Sequence, residues 1–177
     1  MRVVAGRLRG KTIIGPPEKI AHIRPTSDRA KEALFSILKA YPQRSFLDLC
    51  SGTGSIALEA YSRGYEKVIA IDHDSESLQI IQSNCSAYPI RIIDSEVSLI
   101  AKLDLGQFDC IFCDPPYAQA PNIWMSLCPH IPDLLEEQGI FILETDGSFQ
   151  LEHTAGLTLV KEKKYGRNHF YIFEKKG

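Results

Sequence analysis

At 177 residues, 44% of them hydrophobic, the chain can bury a core of its own and needs neither a disulfide framework nor a structural metal to fold. No apolar run approaches the roughly 20 residues of a membrane span, and the opening MRVVAGRLRG has no apolar signal region, so a cytoplasmic protein without membrane attachment is expected. The formal net charge of −2 hides unlike parts: residues 1–44 carry +7, 45–160 carry −13 and 161–177 carry +4, and basic ends around an acidic body point toward a nucleic-acid partner.

Residues 2–5 and 11–14 have the pattern of two short strands joined by a turn with Gly6 and Gly10, a hairpin carrying Arg2, Arg7, Arg9 and Lys11. The connection GPPEKIAHIRP follows. Residues 1–22 are thus expected to form a basic arm and linker, and residues 23–177 the domain proper. Thr26 or Ser27 can cap the next helix, in which Ala30, Ala33, Leu34, Ile37 and Leu38 share a face; capping, rather than ligand contact, is the role expected of Thr26. From Ser45 onward SFLDLC, KVIAID, IRIID, FDCIFCD and GIFILET have the character of buried strands. SIALEAYSRG, DSESLQIIQSNCSAY and APNIWMSLCPHIPDLLEEQ carry helical spacing between them. LTLVKEKKYG and HFYIFEKK are separated only by a short turn and should pair antiparallel at one edge. The expected fold class is α/β: a doubly wound, mostly parallel sheet of seven strands with an antiparallel C-terminal edge and an N-terminal hairpin arm.

Five cysteines (Cys50, Cys85, Cys110, Cys113 and Cys128) form an odd, scattered set, as reduced core thiols do. Cys110 and Cys113 are spaced C-x-x-C, but within a strand they face opposite ways, so no metal is expected.

After the first strand of the sheet comes DLCSGTGSIA, where Gly52 and Gly54 let backbone approach a ligand and a helix opens whose amides favour electronegative groups. Asp72 ends the next strand, 20 residues after Gly52, where a carboxylate can accept from both hydroxyls of a ribose. These two features suit a nicotinamide cofactor as well as any other. Asp48, four residues before Gly52, favours a cofactor with a cationic amino-acid tail over one with a pyrophosphate, which it would repel. S-adenosylmethionine has such a tail. FDCIFC then leads into DPPY, Asp114, Pro115, Pro116 and Tyr117. Two prolines make a stiff turn, and in a doubly wound sheet this turn opens beside the glycine loop at the topological switch point. An exocyclic amine on a nucleobase is a poor nucleophile because its lone pair is delocalised into the ring. Asp114 and the Pro115 carbonyl can accept its two hydrogens and turn that pair toward a methyl sulfonium, each contact contributing about 1.5–3 kcal/mol where charge is involved. Pro116 stiffens the turn and Tyr117 can stack on the base.

The set AGRLRGK, RPTSDRAKEALFSIL, DLCSGTGSIALEAYSRG, DPPY and KKYG resembles the RsmD family of bacterial 16S rRNA (guanine-N2)-methyltransferases, over the whole chain. The resemblance implies a class I, Rossmann-like methyltransferase fold and S-adenosylmethionine as donor. It implies a guanine in 16S rRNA as target, the one conventionally numbered 966, within the small ribosomal subunit or an assembly intermediate and with no obligate protein partner. By matching motif, Asp48, Ser51, Gly52, Gly54 and Asp72 would bind cofactor, Asp94 would lie near the adenine, and Asp114, Pro115, Pro116 and Tyr117 would hold the base. Arg2, Arg7, Arg9, Lys11 and Arg24 at one end, and Lys163, Lys164 and Arg167 in the KKYGRNHF turn at the other, are the candidate RNA contacts.

Other readings of the residues stand beside this one. DPPY turns also serve amino-methyltransferases acting on adenine or cytosine in DNA or other RNA, and glutamine-modifying enzymes have a similar turn with asparagine first. A non-catalytic RNA-binding or assembly module and a nicotinamide oxidoreductase are more distant. His73 is expected in an exposed turn, Asp94 can instead cap a helix, and Trp124 is expected in the core with Leu127.

Overall fold

Five parallel strands, β1 (Ser45–Leu49), β2 (Lys67–Asp72), β3 (Ile90–Asp94), β4 (Phe108–Cys113) and β5 (Leu135–Thr145), are extended by the antiparallel pair β6 (Leu157–Tyr165) and β7 (Asn168–Lys175). The order across the sheet is β3-β2-β1-β4-β5-β7-β6. This computed structural model describes residues 1–19, 23–152 and 154–177. The boundary expected between arm and domain, at residue 22, lies outside the described residues.

Period-two alternation sorts the central strands onto two cores. Phe46, Val68, Ala70, Cys110, Phe112, Ile140 and Ile142 pack under α1 (Asp28–Leu38), α2 (Ser55–Ser62) and α3 (Ser75–Cys85). Leu47, Leu49, Ile69, Ile71, Ile111, Cys113, Phe141 and Leu143 face the other way, toward α4 (Ala120–Leu127) and a 3-10 segment at Val97–Lys102. Cys110 and Cys113 therefore fall in opposite cores, as strand geometry requires. Trp124 is 1% exposed and stacks on Phe141 and Phe173, a core residue as its helical spacing with Leu127 indicates. No helix among the described residues is long and apolar enough to cross a membrane.

Three local expectations are corrected. The helix expected to run to Gln138 stops much earlier: Pro129 and Pro132 break it into α4, a 3-10 turn at Cys128–His130 and the single turn α5 (Ile131–Leu134), and β5 begins at Leu135. The ladder then shifts register between Phe108 and Cys110, and a Cβ on Gly139 would meet the Phe108 carbonyl oxygen at 2.8 Å, so only glycine fits that irregularity. The two arm strands shrink to one antiparallel bridge, Arg2 with Thr12. The cap of α1 is Ser27, whose Oγ accepts from the Ala30 amide at 3.1 Å, not Thr26.

The arm keeps the cross-strand bonds from the Val3 N–H to the Lys11 carbonyl and from the Ile13 N–H to the Met1 carbonyl, both 2.9 Å, and its next amides bond to the domain. Glu59, on α2 and fully buried, accepts the amides of Val4 (2.9 Å) and Ala5 (3.0 Å) and the Arg63 Nε–H (2.9 Å). The equally buried Lys31 of α1 lies 3.9 Å from the same carboxylate and donates to the Arg2 carbonyl at 2.7 Å. Burial pulls the Lys31 ammonium below its ordinary range, and Glu59 opposes this. The Ser62 hydroxyl donates to the Ala5 carbonyl and accepts the Leu8 amide, while Val3 and Ile13 enter the core under the helices. Removing one member of such a cluster leaves buried groups unmatched. Glu59→Ala should lose about 3–5 kcal/mol in urea unfolding, with the Val4 and Ala5 amides exchanging hydrogen far faster; retained protection at those amides would show that the arm docks without Glu59.

Candidate active site

A cleft of about 880 Å³ opens at the C-terminal ends of the parallel strands, where β1 and β4 are neighbours but their following loops turn to opposite sides. It joins the glycine loop after β1, the end of β2, and the turn after β4. The glycine loop owes its shape to three positive φ values: Gly52 at +61°, Gly54 at +74° and, unusually for a residue with a side chain, Cys50 at +56°. Gly54 is further confined, because a Cβ there would meet the Cys85 sulfur at 2.8 Å. Gly54 thus packs the loop against α3 rather than lining the cleft, while Gly52 lines it.

The acids at the strand ends are positioned by backbone amides. Asp72 accepts from the Gly52 amide (2.8 Å) on one oxygen and from His73 (2.8 Å) and Asp74 (3.0 Å) on the other, so one carboxylate pins both loops. His73 is exposed and also borders the cleft. Asp48 is buried; its Oδ2 accepts from the Ser51 hydroxyl at 2.6 Å and the Ala57 amide at 3.1 Å. Burial pushes the Asp48 carboxyl up to about 7, although Ser51 and Ala57 bond to its charged form and only the Asp72 charge adds to the rise.

Across the cleft, Asp114, Pro115 and Pro116 line the wall, and Pro116 accepts from the Gln119 amide to close a 3-10 turn at Tyr117–Gln119. The Asp114 Oδ1 is buried without a hydrogen-bond partner among the described residues. A second such atom, the Ser55 Oγ, belongs to the glycine-loop side of the same cleft. Orphaned acceptors in a cleft are what a ligand with N–H or O–H donors would satisfy. Burial, and then the charge of Glu144, push the Asp114 carboxyl well above the ordinary range against the pull of Arg24. Tyr117 does not line the cleft; its ring carries the Arg24 guanidinium 3.4 Å from its centroid.

Asp94 is exposed and outside the cleft, and Glu96, Val97 and Ser98 supply the wall near that strand end. Thr26, for which the sequence favours capping over ligand contact, lines the cleft, as do Gln119, Asn122, Ile123 and Ser126 around α4, which sequence reasoning missed; Glu144, with its donor Asn168, lies behind Asp114 and was missed too. Glu144 had a signal of the same kind as Asp114, an acid closing an apolar strand run. The basic residues divide into two surfaces. On the arm, Arg7 covers Tyr61 and Lys11 covers Tyr88, the two rings lying 5.4 Å apart, while Arg2 pairs with Asp28 and Arg9 is exposed. Lys163, Lys164 and Arg167 crowd the β6–β7 turn, one residue from Asn168. Among the described residues no cluster of His, Cys, Asp or Glu could hold a metal ion.

Because the folded state holds the Asp48 proton more tightly than the unfolded chain, ionising Asp48 opposes folding. That penalty is absent below about pH 4 and complete above about pH 7. Stability of the unsubstituted protein should therefore fall relative to Asp48→Asn as pH rises through this window. Urea titrations at about pH 5 and about pH 8 measure the difference, and an equal gap at both would mean that Asp48 ionises at its ordinary value.

The family model described as Conserved hypothetical protein 95 matches residues 1–174. A Bacillus subtilis protein, YlbH, is 31% identical over the full length of both chains. The ribosomal RNA small subunit methyltransferase D of Haemophilus influenzae is 30% identical over 98% of this chain and 93% of its own. Among solved structures, the Thermus thermophilus protein TTHA0928 superposes with a TM-score of 0.76 at 27% identity, covering 97% of this chain and 98% of its own. The Escherichia coli protein yhhF reaches 0.81 at 22% identity over 99% and 98%, a likeness of fold alone, and that fold is the class I methyltransferase fold. The chain belongs to the family described as Conserved hypothetical protein 95, the RsmD family.

Proposed function

We propose that this chain transfers a methyl group from S-adenosylmethionine to the exocyclic N2 amine of a guanine in 16S rRNA, the one conventionally numbered 966, on the small ribosomal subunit or an assembly intermediate. The observation that carries this reading is the unpartnered, buried Asp114 Oδ1 in the same cleft as Asp48 and Asp72. The names of full-length relatives support an rRNA substrate.

When bound, S-adenosylmethionine supplies a methyl group on a sulfonium with a thioether as leaving group. Asp48 faces the cationic amino-acid end and Asp72 the ribose hydroxyls, both held rigid by the loop amides described above. Gly52 lets the backbone approach closely. Asp114 and the Pro115 carbonyl would accept the two N–H hydrogens of the target amine and so direct its lone pair away from them, toward the cofactor side of the cleft. With Arg24 on one face of the Tyr117 ring, a base would stack on the other. No cysteine stands in the catalytic turn, and an amine nucleophile needs no covalent intermediate. The basic arm and the β6–β7 turn hold the RNA backbone.

Asp114→Ala should lower turnover by about two orders of magnitude while cofactor affinity stays nearly intact. The assay is labelled methyl transfer to small subunits from cells lacking the activity, with nucleoside analysis of the product. A single N2-methylguanosine is expected; a methylated adenine or cytosine would refute the guanine assignment. Replacing Arg7 and Arg9 together should weaken RNA binding and reduce the slope of log affinity against log salt by about 1–2. An unchanged slope would remove the arm from the interface.

A further inference from the structure

β4 and β5 are in parallel register through Cys113 and Leu143, so Asp114 and Glu144 are the next residues along on neighbouring strands. Both leave the sheet on the same face. Glu144 is 3% exposed, and the Asp114 Oδ1 beside it is buried and unpartnered. A buried carboxyl is thus set beside a second one that has its Oδ1 buried at the cleft wall, an expensive arrangement if it served packing alone. A glutamine at 144 would offer Asn168 the same acceptor. The groups facing the pair come from five directions: Arg24 ahead of α1, Asp48 from β1, the Cys113 thiol from β4, Tyr117 from the turn, and Asn168 from β7, whose Nδ2 donates to Glu144 Oε1. Arg24 is the cation whose field reaches both carboxyls.

We propose that Glu144 is a positioning residue for amine methylation: lodged against Asp114, it makes Asp114 the acceptor of the proton that the target nitrogen sheds, with Arg24 as the opposing charge. The inference rests on the reading of the cleft given under Proposed function. As the nitrogen bonds the methyl carbon, the carbon–sulfur bond breaks and its electron pair stays on sulfur. The nitrogen, now cationic, gives one hydrogen to Asp114 as a proton, and Asp114 returns it to water when the product leaves. The neighbouring carboxylate matters before that transfer, because a more basic Asp114 draws harder on the N–H and returns electron density to the delocalised lone pair.

The test is the pH profile of single-turnover methyl transfer to small ribosomal subunits at saturating S-adenosylmethionine, from about pH 5.5 to about pH 8.5. The acid limb reports both cleft carboxyls, Asp48, pushed up to about 7, and Asp114, and the part set by Asp114 is the part that answers to the charge at 144. Glu144→Gln keeps the acceptor for Asn168 and removes the charge, so this limb should move to lower pH by about one unit, with the plateau rate above the limb lowered by less than about tenfold and cofactor affinity little changed. Arg24→Gln should move the limb the opposite way. Asn168→Ala, which makes Glu144 easier to protonate, should give a smaller shift in the direction of Glu144→Gln and carries the test if that variant does not fold. Transfer by Glu144→Gln, or by Asn168→Ala, with the acid limb unmoved would overturn the inference. Absence of methyl transfer to any nucleobase amine by the unsubstituted protein, with cofactor still bound, would instead overturn the function on which it rests.

Discussion

A carboxylate carried into a protein interior must be met by hydrogen-bond donors, and this fold is tied together where that demand is satisfied. Glu59 gathers the arm, α1 and α2 around one carboxyl. At the start of β4 Asp109 does the same for β1 and β4: its oxygens accept the Arg44 and Ser45 amides and the Arg44 guanidinium, and its own amide bonds to the Ser45 hydroxyl. Burial alone would raise the Asp109 carboxyl, but the Arg44 bonds outweigh it and hold the group below the ordinary range. Asp72 and Asp48 then fix the loops at the other end of the same strands. Apart from those of Ser45 and Ala57, near the starts of β1 and α2, the amides that these side chains consume belong to segments outside the strands and helices, which is why irregular backbone can be held in place here.

The contrast between Asp109 and Asp114 shows how one strand serves both ends. Both acids flank β4, one at its second residue and one just past its last. Asp109 has every oxygen engaged and a full positive partner; Asp114 keeps an oxygen without a donor and has another acid for a neighbour. The first arrangement stabilises the ionised form and is structural. The second raises proton affinity on the wall of a cleft, the feature on which the proposed function builds. Five of the seven strands point their C-terminal ends the same way, and the acids near the ends of three of them, Asp48, Asp72 and Asp114, line one opening.

Much of this was legible in the sequence because the signals are local. Strand runs, the glycine loop and the proline turn each follow from a few adjacent residues, and the strand limits agree to within a few residues except where β5 starts early. The misses have a common cause in long-range partnership. Nothing near Val4 announces that its amide will be bonded to Glu59, 55 positions along the chain, and that the arm will dock on α2 in this way. Helical spacing across residues 120–138 was real, yet Pro129 and Pro132 and the pull of β4 on Leu135 overrode it. Asp94 closes its strand like Asp72, but it lies outside the cleft while the backbone beyond it turns inward. Asn168 and Glu144 are 24 residues apart and meet only because β7 inserts beside β5.

That insertion also bears on how the chain acquires its shape during synthesis. β7 is sixth in spatial order yet the last strand to be made, and β6 reaches the sheet only through it. Until β7 arrives, the five parallel strands end at β5, whose Ile140–Thr145 stretch offers an unpaired and strongly apolar edge. β6, made first, has no neighbour to join. A nascent chain paused between the two strands would therefore expose the segment most prone to pair with another copy, and the final step of folding would be insertion of a strand between two waiting ones rather than addition to a finished rim.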